Sequence, residues 1–375
     1  MTATVPVTWQ GRVVHAAAPE EIAGLDVDLT AAAARRTERA AAAVRRAGDR
    51  ATGGLEVAAR LLLRSEGLAS SAIEGLRPSP TDVALAEVGG LGDGSHLDEG
   101  VAGWVADNLA VVSDALATAG PLDAERLMAW HERLMRSAPA IDARHVGAYR
   151  DTLGWVGGPN PMMAAHVAVP HGAIPPLMED LFAYVARHDV DPVTQAAVAH
   201  AQFETIHPFA DGNGRLGRVL VGRVLAHRLE VAVPPPISLA LTRDIGGYLA
   251  GLTLFRQGFA EHWVSWFAGI VESAADRSTE VLAAVGEVQR SWVEATAGFR
   301  ADAAARRVLP LLPSHPVVSA GLVARLLGVS GQAAGRGLQA LVEAGVLSET
   351  ERAGRRRGRP ERWYVAHGLL DLLGH

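Results

Sequence analysis

Helical periodicity is the feature that most limits the folds open to this chain. Alanine- and leucine-rich segments with apolar residues at positions i, i+3 and i+4 recur along most of the sequence. They cover about 31–49, 54–68, 98–118, 122–137, 175–188, 192–206 and 214–229, and a longer helical block covers about 243–298. Because this spacing gives each helix one apolar face, we expect a mainly α-helical protein. Its 375 residues exceed the usual size of a single core, so we expect two or three domains.

One long segment interrupts the helical pattern. Residues 139–174 are rich in glycine and proline and contain a short alternating piece, "AAHVAVP". Alternation of this kind is typical of a strand, so we predict a small β-hairpin or flap there. A loop of this length in a compact domain is usually functional.

The character of the sequence changes after "AARRVLPLLPSHP", which ends at residue 316. A helical stretch, a tight turn at "GVS", a second helical stretch and two strand-like pieces around an arginine- and glycine-rich tip follow one another. This order is that of a winged helix-turn-helix.

Composition excludes several kinds of chemistry. The chain has no cysteine, which rules out disulfides, thiolate nucleophiles and cysteine zinc sites. All 35 lysine-plus-arginine residues are arginine, so no lysine is available for a Walker A loop or a Schiff base. Any phosphate chemistry must therefore use arginine, backbone amides and a metal ion.

Charge is unevenly distributed. The chain has a net charge of −6, but residues 301–375 carry ten arginines against six acidic residues, leaving −10 for the remainder. Only the C-terminal part suits a polyanion. The sequence shows neither a basic start followed by an apolar run nor an apolar stretch of membrane-spanning length, so we expect a cytoplasmic protein with no membrane partner.

The stretch "HPFADGNGRLGR", residues 207–218, concentrates reactive residue types. Proline disfavours helical backbone in the residue before it, so Pro208 predicts that a helix ends at His207. Two glycines then permit unusual backbone geometry, and a second helix is predicted to begin near Asn213. Since the first amides of a helix and its positive dipole end attract anions, phosphate is the natural ligand.

The polar side chains of this stretch suggest how a phosphate group would be handled. Arg215 and Arg218 are one helical turn apart and lean toward the helix start, so both can reach the same anion. Asp211, in the turn, fits a divalent ion such as Mg²⁺ between carboxylate and phosphate. His207 is a candidate general base, because imidazole exchanges protons near neutral pH.

The same residues resemble the signature of the Fic family, HxFx(D/E)GNGRxxR, with every specified position satisfied. Further segments resemble the flap and flanking helices of that family, and the resemblance covers about residues 60–290. These segments are "GAYRD", "VAVPHGAIPPLMEDL", "DPVTQAAVAHAQFETIHPF", "YLAGL" and "HWVSWF". This resemblance implies a Fic-type helical domain with a small β-hairpin flap.

The resemblance also implies an activity, that of a protein adenylyltransferase, which transfers AMP from ATP to a hydroxyl side chain of a target protein. His207 would be the base, Asp211 would bind Mg²⁺, and the remaining motif residues would hold the phosphates. These are Gly212, Asn213 and Gly214 through their amides, and Arg215 and Arg218 through their guanidinium groups. The Doc-type branch of the family, which phosphorylates its targets, looks to have a lysine at the position of Gly214. The glycine here therefore separates this chain from that branch.

A second stretch, "SSAIEGL" at residues 70–76, reads by itself as a helix end with Gly75 as its cap. Next to a Fic motif, it resembles the family's inhibitory pattern (S/T)xxxE(G/N) at Ser70, Glu74 and Gly75. The resemblance implies an inhibitory helix over about 60–76, in which Glu74 pairs with Arg218 and takes the place of a phosphate.

Three domains are therefore expected: an N-terminal helical region at 1–95, a Fic core at 96–298 and a winged helix-turn-helix at 299–375. In the last of these, Gln332 and Arg336 lie where such modules meet the DNA major groove, and Arg355, Arg356 and Arg357 lie at the wing tip. The alternative is that the tip is merely solvated and that the module serves dimerisation or target docking.

Other interpretations stay open at this point. The same site can remove AMP instead of adding it, or the chain can be a DNA-binding regulator whose Fic domain senses nucleotide or modifies itself. His131-Glu132 begins a zincin motif, but Met135 stands where the second histidine is needed, so we expect no zinc. The expected partners are ATP, an unidentified target protein, a second copy of the chain and, through the C-terminal part, DNA.

Overall fold

A computed structural model describes residues 2–52, 56–90, 100–136, 141–351 and 362–373. The helices are α1 Ala31–Thr52, α2 Glu56–Ile73, α3 Pro80–Gly90, α4 Gly100–Ala117, α5 Ala124–Met135, α6 Ile174–Val185, α7 Pro192–Ile206, α8 Asn213–Leu229, α9 Ile237–Leu241, α10 Ile245–Arg256, α11 Ala260–Ala295, α12 Ala304–Val308, α13 Ala320–Leu327, α14 Gly331–Glu343 and α15 His367–Leu370. The strands are β1 Ala3–Trp9, β2 Arg12–Ala18, β3 Trp155–Val156, β4 His166–Val167, β5 Val317–Ser319, β6 Ser348–Glu351 and β7 Arg362–Val365. The mainly helical fold class is thus confirmed.

Helices α7 and α8 form the centre of the larger hydrophobic core. Every residue from Val193 to Ile206 is buried, and alanine at many of these positions lets neighbouring helices approach closely. The largest fully buried side chains around this pair include Trp263, Phe267, Tyr184 and Phe203. Because both helices are enclosed by α1, α4, α6 and α11, the loop that joins them is held at both ends.

A second core lies beneath the C-terminal region, which we define as residues 304–373. Leu61 and Leu62 of α2 and Val285 of α11 pack there with apolar residues of that region. Arg64 of α2 also donates a hydrogen bond from Nη2 to the carbonyl of Ser314, at 2.9 Å. Helix α2 therefore joins the C-terminal region to the larger core.

The C-terminal region contains two capped helices and a small sheet. Ser319 accepts a hydrogen bond from Leu322 at the start of α13, and Ser330 accepts one from Ala333 at the start of α14. Strands β5, β7 and β6 form an antiparallel sheet in that order. Helices α13 and α14 and strands β6 and β7 are the elements expected from the sequence, whereas β5 was not expected. The assignment of this region to a DNA-binding winged module stays a prediction.

Several elements differ from the sequence-based expectations. Strands β1 and β2 form an unpredicted hairpin, whose turn has positive φ at Gln10 (47°) and Gly11 (76°), as a tight two-residue hairpin turn requires. Helix α3 was also missed, because it is short and apolar on most sides. The single block expected over 243–298 is two helices, since Gly258 adopts a left-handed conformation between them.

The predicted flap is present as β3 and β4, which pair Trp155 with Val167 and Val156 with His166. It lies beside the N-terminal hairpin, where the rings of Trp9 and Trp155 meet edge to face with centroids 6.3 Å apart. None of the helices within the described ranges is both long and apolar enough to span a bilayer.

Candidate functional site

The loop between α7 and α8 begins with a residue in an uncommon backbone conformation. His207 ends α7 with φ 51° and ψ 62°, the left-handed region that non-glycine residues rarely adopt. Arg150 holds it there, donating from Nε to the carbonyl of His207 (2.8 Å) and from Nη2 to the carbonyls of Ile206 (3.2 Å) and Val169 (2.6 Å). The strained residue is therefore fixed by a buried guanidinium, whose pKa burial lowers to about 10.

The imidazole of His207 lies at the edge of the core, with 18% of the side chain exposed. Its Nδ1 is 3.7 Å from Oε2 of Glu204, one helical turn earlier. Burial acts to raise the pKa of Glu204, but the proximity of His207 and the charges of His200, His207 and Arg218 outweigh it and lower that pKa to about 2. An ionised, buried carboxylate thus lies beside the candidate base.

The start of α8 provides free backbone donors. Gly212 precedes the helix with φ 80°, and in the described part of the chain the amides of Asn213, Gly214 and Arg215 donate to no acceptor. The Asn213 side chain closes the loop instead, accepting from the amide of Phe209 (2.9 Å) and donating to its carbonyl (2.8 Å). Unpaired amides at a helix start, with the positive dipole end behind them, form an anion site.

His131 supports this loop from behind. Its Nδ1 accepts from the amide of Gly147 at 2.9 Å, so the ring proton is on Nε2, which donates to the carbonyl of Asp211 at 3.1 Å. The ring is stacked on Phe209, with centroids 4.0 Å apart. Burial lowers the pKa of His131 to about 4, which keeps the imidazole neutral in this bridging role.

The carboxylate of Asp211 is the exposed acidic group of the loop, at 62%. Oδ1 accepts from the amide of Gly212 at 2.6 Å and lies 3.7 Å from Nη2 of Arg215. No group of three or more histidine, aspartate or glutamate side chains that could hold a metal ion occurs in the ranges described. A single carboxylate still fits Mg²⁺, which binds through one or two carboxylates together with phosphate and water oxygens.

Arg215 and Arg218 both lie within the buried face of α8. The Arg215 side chain is 5% exposed, and its Nη2 lies 3.6 Å from Sδ of Met135. The Arg218 side chain is 1% exposed and donates from Nε to the hydroxyl of Ser70 and from Nη2 to the carbonyl of Ser70, each at 2.9 Å. Two cations therefore flank the free amides.

Glu74 occupies the space between these groups. Its Oε1 accepts from Nη2 of Arg218 at 2.8 Å, and a Cβ added at Gly214 would overlap with the same oxygen. Burial acts to lower the pKa of Arg218, but the charge and hydrogen bond of Glu74, together with Tyr248 and Glu204, outweigh it, so the net shift is upward. Gly75 follows with φ 83°, which turns the chain away directly after the carboxylate. A carboxylate oxygen thus lies over the first turn of α8, among donors that suit an anion.

A family model described as the Fic/DOC family matches residues 121–225, which include this whole loop. The chain contains a Fic domain. Among curated proteins, the Fic domain is similar to protein adenylyltransferase fic-1 of Caenorhabditis elegans, 28% identical over 151 residues, which are 40% of this chain and 27% of the relative. It is also similar to protein adenylyltransferase Fic of Drosophila grimshawi, 30% identical over 149 residues, 39% of this chain and 28% of that protein.

The chain spans just over a quarter of the length of these curated relatives. Among solved structures, it resembles a Fic family protein from Desulfovibrio desulfuricans G20, with a TM-score of 0.56 and 23% identity over 90% of this chain and 97% of that one. At this identity, the likeness is one of fold. It extends beyond the Fic domain into both flanking regions of the chain.

The structure brings the predicted Fic-domain residues together and separates them from the C-terminal ones. Ser70 and Glu74 meet Arg218 although they lie far from it in sequence. Gln332 and Arg336 are exposed on α14, in the C-terminal region. Arg355, Arg356 and Arg357 lie outside the described residues.

Three residues that hold the site were not found by sequence reasoning. Arg150, Glu204 and His131 each act through a contact that residue spacing does not reveal. Glu204 carried the best available signal, because it lies one helical turn before the motif histidine and is the only acidic or basic residue, histidine aside, in α7. His131 had been considered only as half of an incomplete zinc motif.

Proposed function

We propose that this protein is an adenylyltransferase that transfers AMP from ATP to a hydroxyl side chain of a target protein. The named relatives are protein adenylyltransferases, and they match this chain over the segment that contains the Fic motif. The observation that carries the proposal is the juxtaposition of the His207 imidazole, the free amides at the start of α8 and the two buried arginines. A histidine base next to a polyphosphate site suits phosphorus chemistry at a hydroxyl nucleophile.

The proposed reaction moves one proton and exchanges one bond. His207 accepts the proton of the target hydroxyl as its oxygen bonds to the α-phosphorus of ATP. The bond from that phosphorus to the oxygen bridging to the β-phosphate breaks, and pyrophosphate leaves. The free amides of Asn213 and Gly214 and the guanidinium groups of Arg215 and Arg218 are the groups that bind the phosphates and stabilise the developing charge. The amide of Gly212, expected from the resemblance to share this role, instead donates to Oδ1 of Asp211 at 2.6 Å.

Asp211 is the residue that would hold Mg²⁺, its carboxylate being exposed and adjacent to the free amides. Bound there, the ion neutralises phosphate charge. His131 supports this arrangement from the protein side, because its hydrogen bond to the Asp211 carbonyl fixes the backbone from which the carboxylate extends.

The protein is proposed to restrain itself through Glu74. The carboxylate forms a 2.8 Å ion pair with Arg218 and lies against Gly214, so it takes both the cation and the space that a terminal phosphate of ATP needs. Carboxylates and phosphates bind the guanidinium fork in the same way. Ser70 strengthens the restraint, since it holds the same guanidinium through two further hydrogen bonds. The ground state is therefore a low-activity form.

Labelling ATP at either the α- or the γ-phosphate tests which group of ATP is transferred to the target. Glu74→Gly protein is incubated in cell lysate with ATP labelled at either the α- or the γ-phosphate, and labelled proteins are counted after gel separation. Adenylylation predicts transfer from α-labelled ATP only. His207→Ala is the blank, and Glu74→Gln is the matched control that removes the charge but adds no glycine. Transfer from the γ-position alone would replace the proposal by phosphorylation.

The same preparation examines the reverse activity. Glu74 is 40% exposed, so its carboxylate is accessible to water beside the loop. If the wild type removes AMP, labelled protein made by Glu74→Gly loses its label when wild type is added, and does not when His207→Ala is added. A constant label under both additions restricts the site to AMP addition.

DNA binding by the C-terminal region is a second proposal. It is supported by the exposure of Gln332 and Arg336 on α14 and by the net charge of +4 on residues 301–375. In fluorescence anisotropy with labelled duplex DNA, affinity should fall steeply with added salt. Arg336→Ala should weaken binding by about tenfold, whereas the matched exposed change Arg325→Ala on α13 should have less effect. No binding even at low salt would leave target docking or pairing with a second copy as the role of this region.

A further inference from the structure

We infer that Glu204 is a positioning residue for His207, whose buried carboxylate holds the imidazole with its proton on Nδ1 and so leaves Nε2 as the basic nitrogen. The inference deepens the proposed function, because it assigns the group that prepares the base of AMP transfer. It is carried by the packing around Glu204.

The carboxylate and the imidazole face each other without other partners. Glu204 is only 7% exposed, and its Oε2 lies 3.7 Å from Nδ1 of His207. Nδ1 is itself buried and has no hydrogen-bond partner within the described ranges, and the same is true of Oε1 of Glu204. Buried polar atoms are nearly always paired in proteins, and catalytic hydrogen bonds are often long before substrate binds. A small rotation of either side chain would bring Nδ1 of His207 and the carboxylate of Glu204 to hydrogen-bond distance.

The room for the carboxylate is provided by a glycine on the next helix. A Cβ added at Gly217 of α8 would lie 2.8 Å from Oε1 of Glu204 and 3.0 Å from Nδ1 of His200. Any larger residue at this position would displace both groups. The absence of a side chain at Gly217 therefore leaves a compartment that holds the Glu204 carboxylate between the imidazoles of His200 and His207.

The compartment is closed on its far side by a buried tyrosine. Nε2 of His200 lies 2.9 Å from the hydroxyl of Tyr248, and both side chains are buried. Tyr248, His200, Glu204 and His207 thus form one continuous row from the core to the loop. Motions of the carboxylate are limited at one end by His200 and at the other by His207.

Other charged groups around the row leave the carboxylate as the acceptor for His207. Arg218 of α8 is held by Ser70 and Glu74, and Arg150 contacts the backbone of His207. Arg256 of α10 donates to the carbonyl of Glu204 and to the hydroxyl of Thr205, each at 3.3 Å. His166 of the flap binds the carbonyl of Thr205 at 3.0 Å.

The protonation states agree with this assignment. The neighbouring cations and imidazoles lower the pKa of Glu204 against the effect of burial, so the carboxylate is ionised at neutral pH and can only accept a hydrogen bond. Burial lowers the pKa of His200 to about 4, so that ring is neutral. The nitrogen of His207 that faces an ionised carboxylate must therefore be the one that carries the proton.

Nitrogen-15 NMR of histidine-labelled protein tests the inference without any need for catalysis. The resonances of His207 are identified by their loss in His207→Ala. In the wild type, they should report a proton on Nδ1. In Glu204→Gln, the amide can donate to Nδ1, so the proton should move to Nε2 in a large share of the molecules. Glu280→Gln, an exposed carboxylate change on α11, is the matched control and should leave the spectrum unchanged.

Kinetics supply the second readout, measured in the Glu74→Gly background. Glu204→Gln should lower kcat for AMP transfer by about 10²-fold while changing the Kd for ATP less than about twofold, since the base is affected and the phosphate site is not. Glu204→Asp keeps the charge on a shorter side chain and should recover about tenfold of this loss. Thermal melting establishes that each variant is folded.

Two outcomes would overturn the inference: an unchanged tautomer in Glu204→Gln, or a kcat loss matched by an equal loss of ATP affinity. The second would mean that Glu204 acts only by packing. If no variant transfers AMP but the nitrogen-15 spectra change as described, the positioning role is upheld and the proposed reaction fails. If Glu204→Gln does not fold, the same comparison is made between Glu204→Asp and the wild type, where a shifted tautomer ratio is expected.

Discussion

The two ends of the loop from His207 to Arg218 are built in opposite ways. At the first end, Arg150 fixes the backbone of His207 through main-chain carbonyls, and Nδ1 of the imidazole has no hydrogen-bond partner among the described residues, with Glu204 3.7 Å away. At the second end, Glu74 and Ser70 engage the guanidinium of Arg218. We call the first the open end, because no side chain in the described ranges blocks the His207 imidazole, and the second the filled end, because a carboxylate occupies the guanidinium of Arg218.

In the proposed function, this difference places the restraint at the second end. A carboxylate at Arg218 would take the position of a nucleotide phosphate and leave the base untouched. Restraint by a side chain that adds no covalent change is reversible, because only the ion pair and two hydrogen bonds have to be exchanged for contacts with phosphate. The four predictions that follow test each end in turn.

The largest effect is expected at the open end. His207→Ala should reduce AMP transfer at least about 10³-fold, because no other group of the loop can take the proton of the hydroxyl. The reduction should persist in the Glu74→Gly background, while calorimetry still detects ATP binding to the double variant. Residual transfer by the double variant near the Glu74→Gly level would remove the distinction between the two ends.

The filled end should respond in the opposite direction. Glu74→Gly should raise AMP incorporation and ATP affinity by about 10- to 100-fold, since a charge-assisted hydrogen bond is worth about 1.5–3 kcal/mol. Glu74→Gln tests whether charge is responsible, and it should recover most of the gain. Equal ATP affinity in wild type and both variants would contradict a restraint at Arg218.

Arg150→Met should lower the free energy of unfolding by about 3 kcal/mol, because it leaves several buried carbonyls without their donor. Chemical denaturation measures the change. Arg228→Met is the matched control, since Arg228 also donates to main-chain carbonyls, those of Arg187, His188 and Val190. Both variants should lose stability, but only Arg150→Met should lower kcat per folded molecule. Equal kcat in the two would mean that Arg150 does not position His207.

Acid should lower the free energy of unfolding, in part through two buried histidines near the open end. Burial lowers the pKa of His166 to about 3 and that of His200 to about 4, both from an ordinary value of 6.5. The unfolded chain therefore binds protons that the folded one rejects, so stability is full above pH 6.5 and falls as the pH drops toward 4. Each residue should contribute a loss of about 2 kcal/mol at pH 5. Denaturation at pH 7 and pH 5 measures it, and His166→Gln should reduce the difference while the exposed change His188→Gln should not.

Much of the site was predictable because the motif packs its chemistry into a short segment. Pro208 fixed the helix end and the glycines fixed the turn, so the geometry of residues 207–218 followed from local rules. Most helices were predictable from periodicity for the same reason. Their bounds moved by a few residues, as with the helix expected over about 60–76, which is α2 from Glu56 to Ile73.

What the sequence did not reveal depends on contacts between distant segments. Arg150 resembles any loop arginine until Ile206 and His207 place their carbonyls around it. His131 lies on an ordinary amphipathic helix, and its role appears only when Gly147 and Asp211 approach it from two sides. The hairpin of β1 and β2 did have a local signal at Gln10-Gly11, where a two-residue turn separates two β-branched stretches.

Helix α2 has a mechanical consequence. Its first half is packed into the C-terminal region through Leu61, Leu62 and Arg64, and Ser70 and Glu74 follow at its far end. Because one helix carries both sets of contacts, we expect a displacement of the C-terminal region to change the position of Glu74 relative to Arg218 and Gly214.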